Sequence, residues 1–186
     1  MITKEKIIEI VEADEWMMEI LHTAKRLNLP EWWIAAGFVR SKVWDELHGF
    51  TEQTSIPDID VIYFDNKELD KSQEKKYESL LFSFMPEVPW SVKNEARMHQ
   101  RNGLPPYQSS VDAISKFPET ATAVGVKVDE RVKVVFAAPH GIEDLVQLKV
   151  RPTPFFTETK ERMIIYQKRV QQKNWKETWG NLSIKL

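Results

Sequence analysis

The spacing of apolar residues along the chain changes several times between a helical period and a strand period. From residue 4 to residue 28, apolar side chains recur every three or four positions, which predicts a helical segment broken near Asp14. Its apolar positions are Ile7, Ile10, Val11, Met18 and Leu21. Asn28 and Pro30 follow and predict the end of this segment.

Short apolar runs bounded by Gly, Pro or polar residues predict the strands. These runs cover residues 32–36, 58–64, 90–98, 124–128 and 132–138. The last two lie on either side of a polar turn, which is typical of a β-hairpin.

Helical patterns separate most of these strands. They cover residues 39–49, 66–86, 110–117, 140–150 and 157–174, with a further helical turn expected from Pro118. Alternation of strands and helices predicts an α/β (or α+β) layer fold, with a mixed β-sheet flanked by helices. We expect residues 1–186 to form a single domain, with N-terminal helices at about 4–28 and a C-terminal helical segment at about 157–180.

Composition excludes several classes of protein. The chain has 186 residues, no cysteine and a formal net charge of −2, so disulfides and cysteine zinc sites are absent and nothing strongly indicates a nucleic-acid partner. No apolar run approaches the roughly 20 residues that span a bilayer, and the charged N-terminus does not resemble a signal peptide. We therefore expect a cytoplasmic protein without a membrane partner, while the oligomeric state stays open.

Two acidic residues stand at the beginning of a predicted core strand. Asp58 and Asp60 are two positions apart, so their side chains point to the same side of the sheet and repel each other. A divalent cation such as Mg²⁺ would compensate this repulsion, because it prefers carboxylate and phosphate oxygens. The alternative is a solvated strand start, with Asp58 capping a turn after Pro57.

Several sequence blocks together resemble a bacterial family of nucleotidyltransferase-like proteins, within the DNA polymerase β-like nucleotidyltransferase superfamily. The blocks are AAGFVRSKVWDELHG, DIDVIYFD, WSVKNEARMH, AISKFPETATAVGVKV and APHGIEDLVQLKVRPTP. The resemblance covers nearly the whole chain, from about residue 16 to residue 180. The resemblance implies a nucleotidyltransferase-like fold and transfer of a nucleoside monophosphate from an NTP to a hydroxyl acceptor, with release of pyrophosphate.

The resemblance also implies roles for particular residues. Asp58 and Asp60 correspond to the acidic pair that binds Mg²⁺ or Mn²⁺, and Gly37 corresponds to the glycine of a turn that binds phosphates at a helix start. Phe38 follows in that turn, where many members have Gly or Ser, and the spacing from Gly37 to Asp58 is longer than usual. Arg40 is either a triphosphate contact or a surface arginine of the helix.

The third catalytic carboxylate of such enzymes would be Glu95. It lies on the predicted strand 90–98, on the face that also carries Lys93 and Arg97. The alternative is an exposed strand glutamate paired with one of these two cations. Without a third carboxylate, the protein would be a non-catalytic nucleotide- or partner-binding domain that retains the fold.

Other motifs add little or leave alternatives open. The sequence has no P-loop, and its four histidines are too scattered for a metal site. The loop-rich segment 103–126, with Tyr107, either binds a base or an acceptor or covers a sheet edge. We expect Arg151 to form a structural ion pair, and Trp175 and Trp179 to pack as a stripe. The acceptor stays open between a small molecule, a protein side chain and an RNA end.

Overall fold

The computed structural model describes residues 2–101 and 103–186 of the chain. Its helices are α1 (Lys4–Glu12), α2 (Glu15–Lys25), α3 (Gly37–His48), α4 (Lys71–Phe84), α5 (Glu95–Arg101), α6 (Ser110–Ser115), α7 (Glu143–Val146), α8 (Pro154–Thr157) and α9 (Lys160–Lys173). Its strands are β1 (Trp33–Ala35), β2 (Ile59–Tyr63), β3 (Trp90–Asn94), β4 (Gly125–Val128), β5 (Val134–Ala137), β6 (Lys149–Val150) and β7 (Ser183–Ile184).

Short polar side chains set where many helices begin. Thr3, Asp14, Asp70, Ser109 and Thr159 each precede a helix and accept a hydrogen bond from a backbone N–H of its first turn. Asp14 explains the break predicted in the N-terminal segment, because it begins α2 directly after α1 has ended.

The main sheet is mixed, as the alternation of elements predicted. Its five strands follow the order β3–β2–β1–β4–β5. β1 is antiparallel to both of its neighbours, whereas β2 and β3 are parallel. β4 and β5 form the predicted hairpin. β6 and β7 pair separately in a parallel two-stranded sheet.

The two faces of the main sheet differ in their cover. One face packs into the large core with the N-terminal helices, and it presents Ile34, Val61 and Val92. The opposite face presents Trp33, Ala35 and Ile62, which pack in a small cluster with Ile114 and Ala123. By the two-residue period of a strand, Asp60 belongs to this second face. The second face therefore combines a small apolar cluster with polar positions.

Two predicted elements are shorter than expected, and the helical turn predicted from Pro118 does not form. The strand predicted for residues 90–98 ends at Asn94, and α5 follows at once. No helix forms after Pro118, because Glu119 pairs with Pro152 in an isolated bridge and the Thr153 N–H donates to the Pro118 carbonyl. The helix predicted for 140–150 shrinks to α7, since Leu148 has a φ of 56° and β6 begins after it.

A cluster of three tryptophans joins the C-terminal region to α3. The Trp44 ring centroid lies 5.7 Å from that of Trp175 and 5.1 Å from that of Trp179, both edge to face. The two C-terminal tryptophans thus pack in the core, as predicted, although Trp175 belongs to a 3₁₀ turn rather than to α9. Arg151 forms the expected ion pair, with Asp144. Over residues 2–101 and 103–186, no helix combines the length and hydrophobicity that crossing a membrane requires.

Candidate active site

The acidic pair lies at the start of β2, in the middle of the main sheet. Ile59 and Val61 are fully buried on the core side, so Asp58 and Asp60 point to the opposite side. Asp60 is opposite Ala35 of β1 and opposite Ser91 of β3. The pair is therefore next to the junction where β1 turns into α3.

Asp60 is a carboxylate whose negative charge is disfavoured by its surroundings. Burial and the neighbouring Asp58 raise its pKa to about 6, although the Ser91 hydroxyl, Lys93 and Arg169 oppose this rise. Repulsion within the acidic pair is therefore only partly compensated by the protein.

The turn before α3 is strained at Ala36 rather than at Gly37. Ala36 has φ 57° and ψ −118°, a conformation that side chains disfavour, and no side chain caps the start of α3. A β-carbon at Gly37 would lie 3.3 Å from Nη2 of Arg40, a tight contact that the Arg40 side chain would have to relieve by a small shift. The start of α3 thus presents backbone N–H groups next to the acidic pair, with a guanidinium group behind them.

Arg40 is a buried arginine and not a surface residue of the helix. It is only 8% exposed, its Nη1 donates to Thr122 Oγ1 at 3.2 Å, and its guanidinium lies 4.5 Å from the centre of the Trp175 ring. Burial lowers its pKa to about 10, which leaves it charged at neutral pH. The negative charges of Asp58 and Asp60 partly oppose this lowering of the Arg40 pKa. Arg40 therefore places a positive charge beneath the turn.

The side chain of Phe38 does not reach this site. It is fully buried in the core, where its ring centroid lies 6.1 Å from that of Trp16. A contact between Phe38 and a nucleotide would thus involve its backbone N–H only. This explains how the turn tolerates a bulky residue where Gly or Ser is usual.

Glu95 is a buried residue at the beginning of α5. Both sequence interpretations had placed it on a strand, and neither had predicted its burial. It is 6% exposed, whereas the sequence placed it on a strand, either as a catalytic carboxylate or as an exposed residue paired with Lys93 or Arg97. Arg97 instead binds Glu74, with Nη2 2.8 Å from Oε1. Burial raises the pKa of Glu95 to about 8, and the negative charge of Asp60 is the next largest cause. The two carboxyl groups therefore share one electrostatic environment.

Buried hydrogen bonds fix the junction that presents Glu95. The Asn94 side chain accepts from the N–H groups of Asp65 and Ala96 and donates to the carbonyls of Asp65 and Glu68. Glu74 accepts from the Asn94 N–H at 3.0 Å. Since Asn94 uses both its donor and its acceptor positions, the strand ends there and α5 begins in a defined direction.

Besides the pair of Glu74 and Arg97, an ion pair between Glu119 and Arg169 lies near the site, and the sequence analysis did not predict it. Arg169 of α9 donates from Nε to Oε1 of Glu119 at 2.7 Å, and Glu119 is fully buried with its Oε2 unpartnered. The negative charge of Glu119 raises the pKa of Arg40, and the positive charge of Arg169 lowers it. Arg169 also lowers the pKa of Asp60. No local pattern in the sequence indicates this pair, because its members come from distant segments.

The donors around the acidic pair suit a hard divalent cation. Two carboxylates on one sheet face, of which Asp60 has a raised pKa, match the ligands that Mg²⁺ uses together with water and phosphate oxygens. Across residues 2–101 and 103–186, no three His, Cys, Asp or Glu side chains are grouped closely enough to hold a metal ion. Glu95 therefore does not complete a three-ligand site, and the fit rests on Asp58 and Asp60.

Comparison with known proteins shows the family. A family described as Nucleotidyltransferase matches residues 22–184, and the chain belongs to it. This confirms the resemblance that the sequence blocks indicated. No curated protein matches the chain significantly.

Solved structures show the same fold. One, described as revealing a CCA-adding enzyme head domain, shares 38% identity with a TM-score of 0.89 and covers 98% of this chain and 96% of its own. A Thermotoga maritima CCA-adding enzyme complexed with tRNA_CCA shares 14% identity with a TM-score of 0.58. A CCA-adding enzyme complexed with CTP shares 13% identity with a TM-score of 0.59. This chain spans only 42% and 43% of those two proteins, and at such identity they show the fold alone.

Proposed function

We propose that this protein transfers a nucleoside monophosphate from an NTP to a hydroxyl acceptor, with release of pyrophosphate. The observation that supports this best is the position of the acidic pair. Asp60 lies in β2 and Asp58 directly precedes that strand, next to the uncapped start of α3, and the charge of Asp60 acts on the buried Glu95. In the reaction, an acceptor oxygen forms a bond to the α-phosphorus, the bond from that phosphorus to the bridging oxygen breaks, and the acceptor loses its proton.

Each part of the site has a role in this proposal. The N–H groups at the start of α3 bind the terminal phosphates, since a helix start favours anions. The charge of Arg40 beneath Gly37 stabilises the leaving pyrophosphate. The ionised form of Glu95, which becomes the major form above about pH 8, orients the acceptor hydroxyl and receives its proton. Because these groups are held rigidly, most of the rate enhancement comes from positioning and electrostatic stabilisation.

Asp58 and Asp60 would hold the Mg²⁺ or Mn²⁺. When bound, such an ion neutralises phosphate charge and polarises the reacting oxygens. The repulsion between the two aspartates predicts that their site binds a divalent cation more tightly when a triphosphate supplies further oxygen ligands.

The acceptor proposed for the first assays is an RNA end. The structure with 38% identity to this chain is described as a CCA-adding enzyme head domain, and more distant structures are complexes with tRNA or CTP. A small molecule or a protein side chain is the other possible acceptor, and a net charge of −2 gives no general attraction to RNA.

The rival function is NTP binding without turnover. It is favoured by one observation, that no three metal-ligating side chains group together in the part of the chain that the structure describes. In that case Asp58 and Asp60 bind a metal–nucleotide complex, while Glu95 has no role in chemistry.

Calorimetry tests the proposed site without knowledge of the acceptor. We would titrate each NTP into the wild type and into Asp58→Asn/Asp60→Asn, with and without Mg²⁺ or Mn²⁺. We expect metal-dependent binding in the wild type and at least a tenfold loss in the double variant. The matched control is Asp65→Asn, which makes the same change just after β2 and should bind like the wild type. No NTP binding by the folded wild type would contradict the proposal.

Turnover separates the transferase from the rival. Pyrophosphate release would be followed with RNA ends as acceptors, in the wild type and in Glu95→Gln. Release that requires an acceptor and falls at least a hundredfold in Glu95→Gln, while NTP affinity is kept, supports transfer. Binding without release across RNA, small-molecule and protein acceptors supports the rival.

A further inference from the structure

A cavity of about 650 Å³ lies between α5, the segment 104–118 and the helices α8 and α9. Its volume is within the range of about 300–1,000 Å³ that is typical of small-molecule sites. Four aromatic residues line it, namely Tyr107, Phe117, Phe155 and Phe156. The cavity thus has flat apolar walls, contributed by segments that are distant in sequence.

One end of this cavity adjoins the candidate active site. Glu95 and Arg169 both line the cavity, and both interact electrostatically with Asp60. A molecule in the cavity would thus contact Glu95, the residue to which we assign the acceptor proton. Gly37 is not among the residues lining the cavity, so the proposed phosphate contacts and the cavity are separate parts of the site.

The walls combine planar groups with cations. The Arg162 guanidinium stacks on one face of the Phe155 ring, 3.7 Å from the ring centre, and adds a planar cation to the wall. Lys116 and Arg169 also line the cavity and can donate to ring oxygens or nitrogens. Ile165 faces the same space with 55% of its surface exposed, so apolar area is available for a ligand. These properties suit a flat ring with polar edges.

We propose that this cavity binds the heteroaromatic base of a nucleotide. Stacking of a base on an aromatic side chain contributes about 1–3 kcal/mol and tolerates different bases. The base comes either from the NTP or from a nucleotide acceptor, and the chemistry of recognition is the same in both cases. This inference rests on the proposed function, because Glu95 and Arg169 connect the cavity to the acidic pair.

Two neighbouring isoleucines of α9 give a matched test. Ile165→Glu introduces a carboxylate into the cavity, whereas Ile164→Glu makes the same change at a residue that is 49% exposed and lines a different cavity. Both positions are exposed enough for the variants to fold. Phe155→Ala removes a stacking ring and serves as a second variant.

Calorimetry with Mg²⁺ would use ATP, CTP, inorganic tripolyphosphate, AMP and CMP as probes. If the base of the NTP occupies the cavity, ATP or CTP binds more tightly than tripolyphosphate, and Ile165→Glu and Phe155→Ala lower that affinity at least tenfold. Tripolyphosphate affinity then stays unchanged in these variants. If the base of an acceptor occupies the cavity, AMP or CMP binds in the presence of saturating tripolyphosphate. The affinity for AMP or CMP then falls at least tenfold in the same two variants.

Two results would overturn the inference. In the first, the wild type binds neither AMP nor CMP and binds ATP and CTP no more tightly than tripolyphosphate. In the second, Ile165→Glu and Phe155→Ala bind every probe with the same affinity as Ile164→Glu. Failure of the proposed function looks different, since tripolyphosphate would then bind without any loss in Asp58→Asn/Asp60→Asn.

Discussion

The carboxyl group of Glu95, at the start of α5, is subject to the negative charge of Asp60 on β2. Together with burial, this charge raises the pKa of Glu95 to about 8, compared with 4.5 for an ordinary glutamate. The folded protein therefore holds this proton more tightly than the unfolded chain. Stability from this group is complete below about pH 4.5 and is lost as the pH rises towards 8.

We predict that Glu95→Gln removes this loss. Since one unit of pKa shift corresponds to about 1.4 kcal/mol, the variant should gain on the order of 3 kcal/mol in the free energy of unfolding at pH 8. At pH 5 the gain should be small. Urea unfolding at the two pH values measures this difference, and an equal gain at both would contradict the raised pKa.

The strain at Ala36 predicts a second stabilising change. Ala36→Gly allows φ 57° and ψ −118° without a steric clash, so we expect a gain of about 1 kcal/mol after the entropy of glycine is included. Ala35→Gly is the control, because Ala35 lies within β1 and should lose stability instead. Thermal unfolding of both variants measures the two effects, and a loss in Ala36→Gly would mean that the turn is not strained.

The junction between β3 and α5 depends on Asn94. Asn94→Ala leaves two buried N–H groups and two carbonyls without this partner, so we expect a loss of about 2 kcal/mol or more in the free energy of unfolding. Asn66→Ala, at an exposed position nearby, should change stability by less than about 0.5 kcal/mol. Equal stability of the two variants in urea would contradict the importance of the junction.

The pair of Glu119 and Arg169 predicts coupling between two substitutions. Arg169→Met removes the charged hydrogen-bond donor of the fully buried Glu119 and leaves Arg40 as a nearby positive charge, so it should cost about 2 kcal/mol. Adding Glu119→Gln removes the buried charge, so the double variant should regain most of that loss. A double-mutant cycle by urea unfolding measures the coupling, and additive effects would mean that the pair is not electrostatically linked.

Arg40 is expected to affect both stability and ligand binding. Arg40→Met keeps an extended side chain beside Trp175 but removes a positive charge that acts on the fully buried Glu119, so thermal stability should fall. Affinity for tripolyphosphate with Mg²⁺ should fall about tenfold, since the charge beneath the turn is lost. Unchanged affinity by calorimetry would restrict Arg40 to a structural role.

Much of the fold followed from local patterns in the sequence. Caps such as Asp14 and the apolar runs of β1, β2, β4 and β5 act over a few residues, so they predicted these elements and the mixed sheet correctly. β3 was extended too far because residues 95–98 were assigned to the strand, although Glu, Ala, Arg and Met are good helix formers. The division into a single domain stays a prediction.

The candidate site was predictable only in part. The two-residue period predicted that Asp58 and Asp60 share one side. Asp60 lies in β2, Asp58 directly precedes it, and the charge of Asp58 acts on Asp60. The burial of Arg40, Glu95 and Glu119 depends on contacts between distant segments, which composition and periodicity do not encode. The roles proposed for Gly37, Phe38, Arg40, Asp58, Asp60 and Glu95 stay predictions that the binding and turnover experiments address.

The tryptophan cluster has a consequence for the order of folding. Trp175 and Trp179 close over Trp44 and Arg40 from the other end of the chain, so Arg40 stays hydrated until that segment docks. Contacts over such a sequence separation form slowly compared with local ones. We therefore expect phosphate binding to appear in refolding experiments only with the last, slowest change in tryptophan fluorescence.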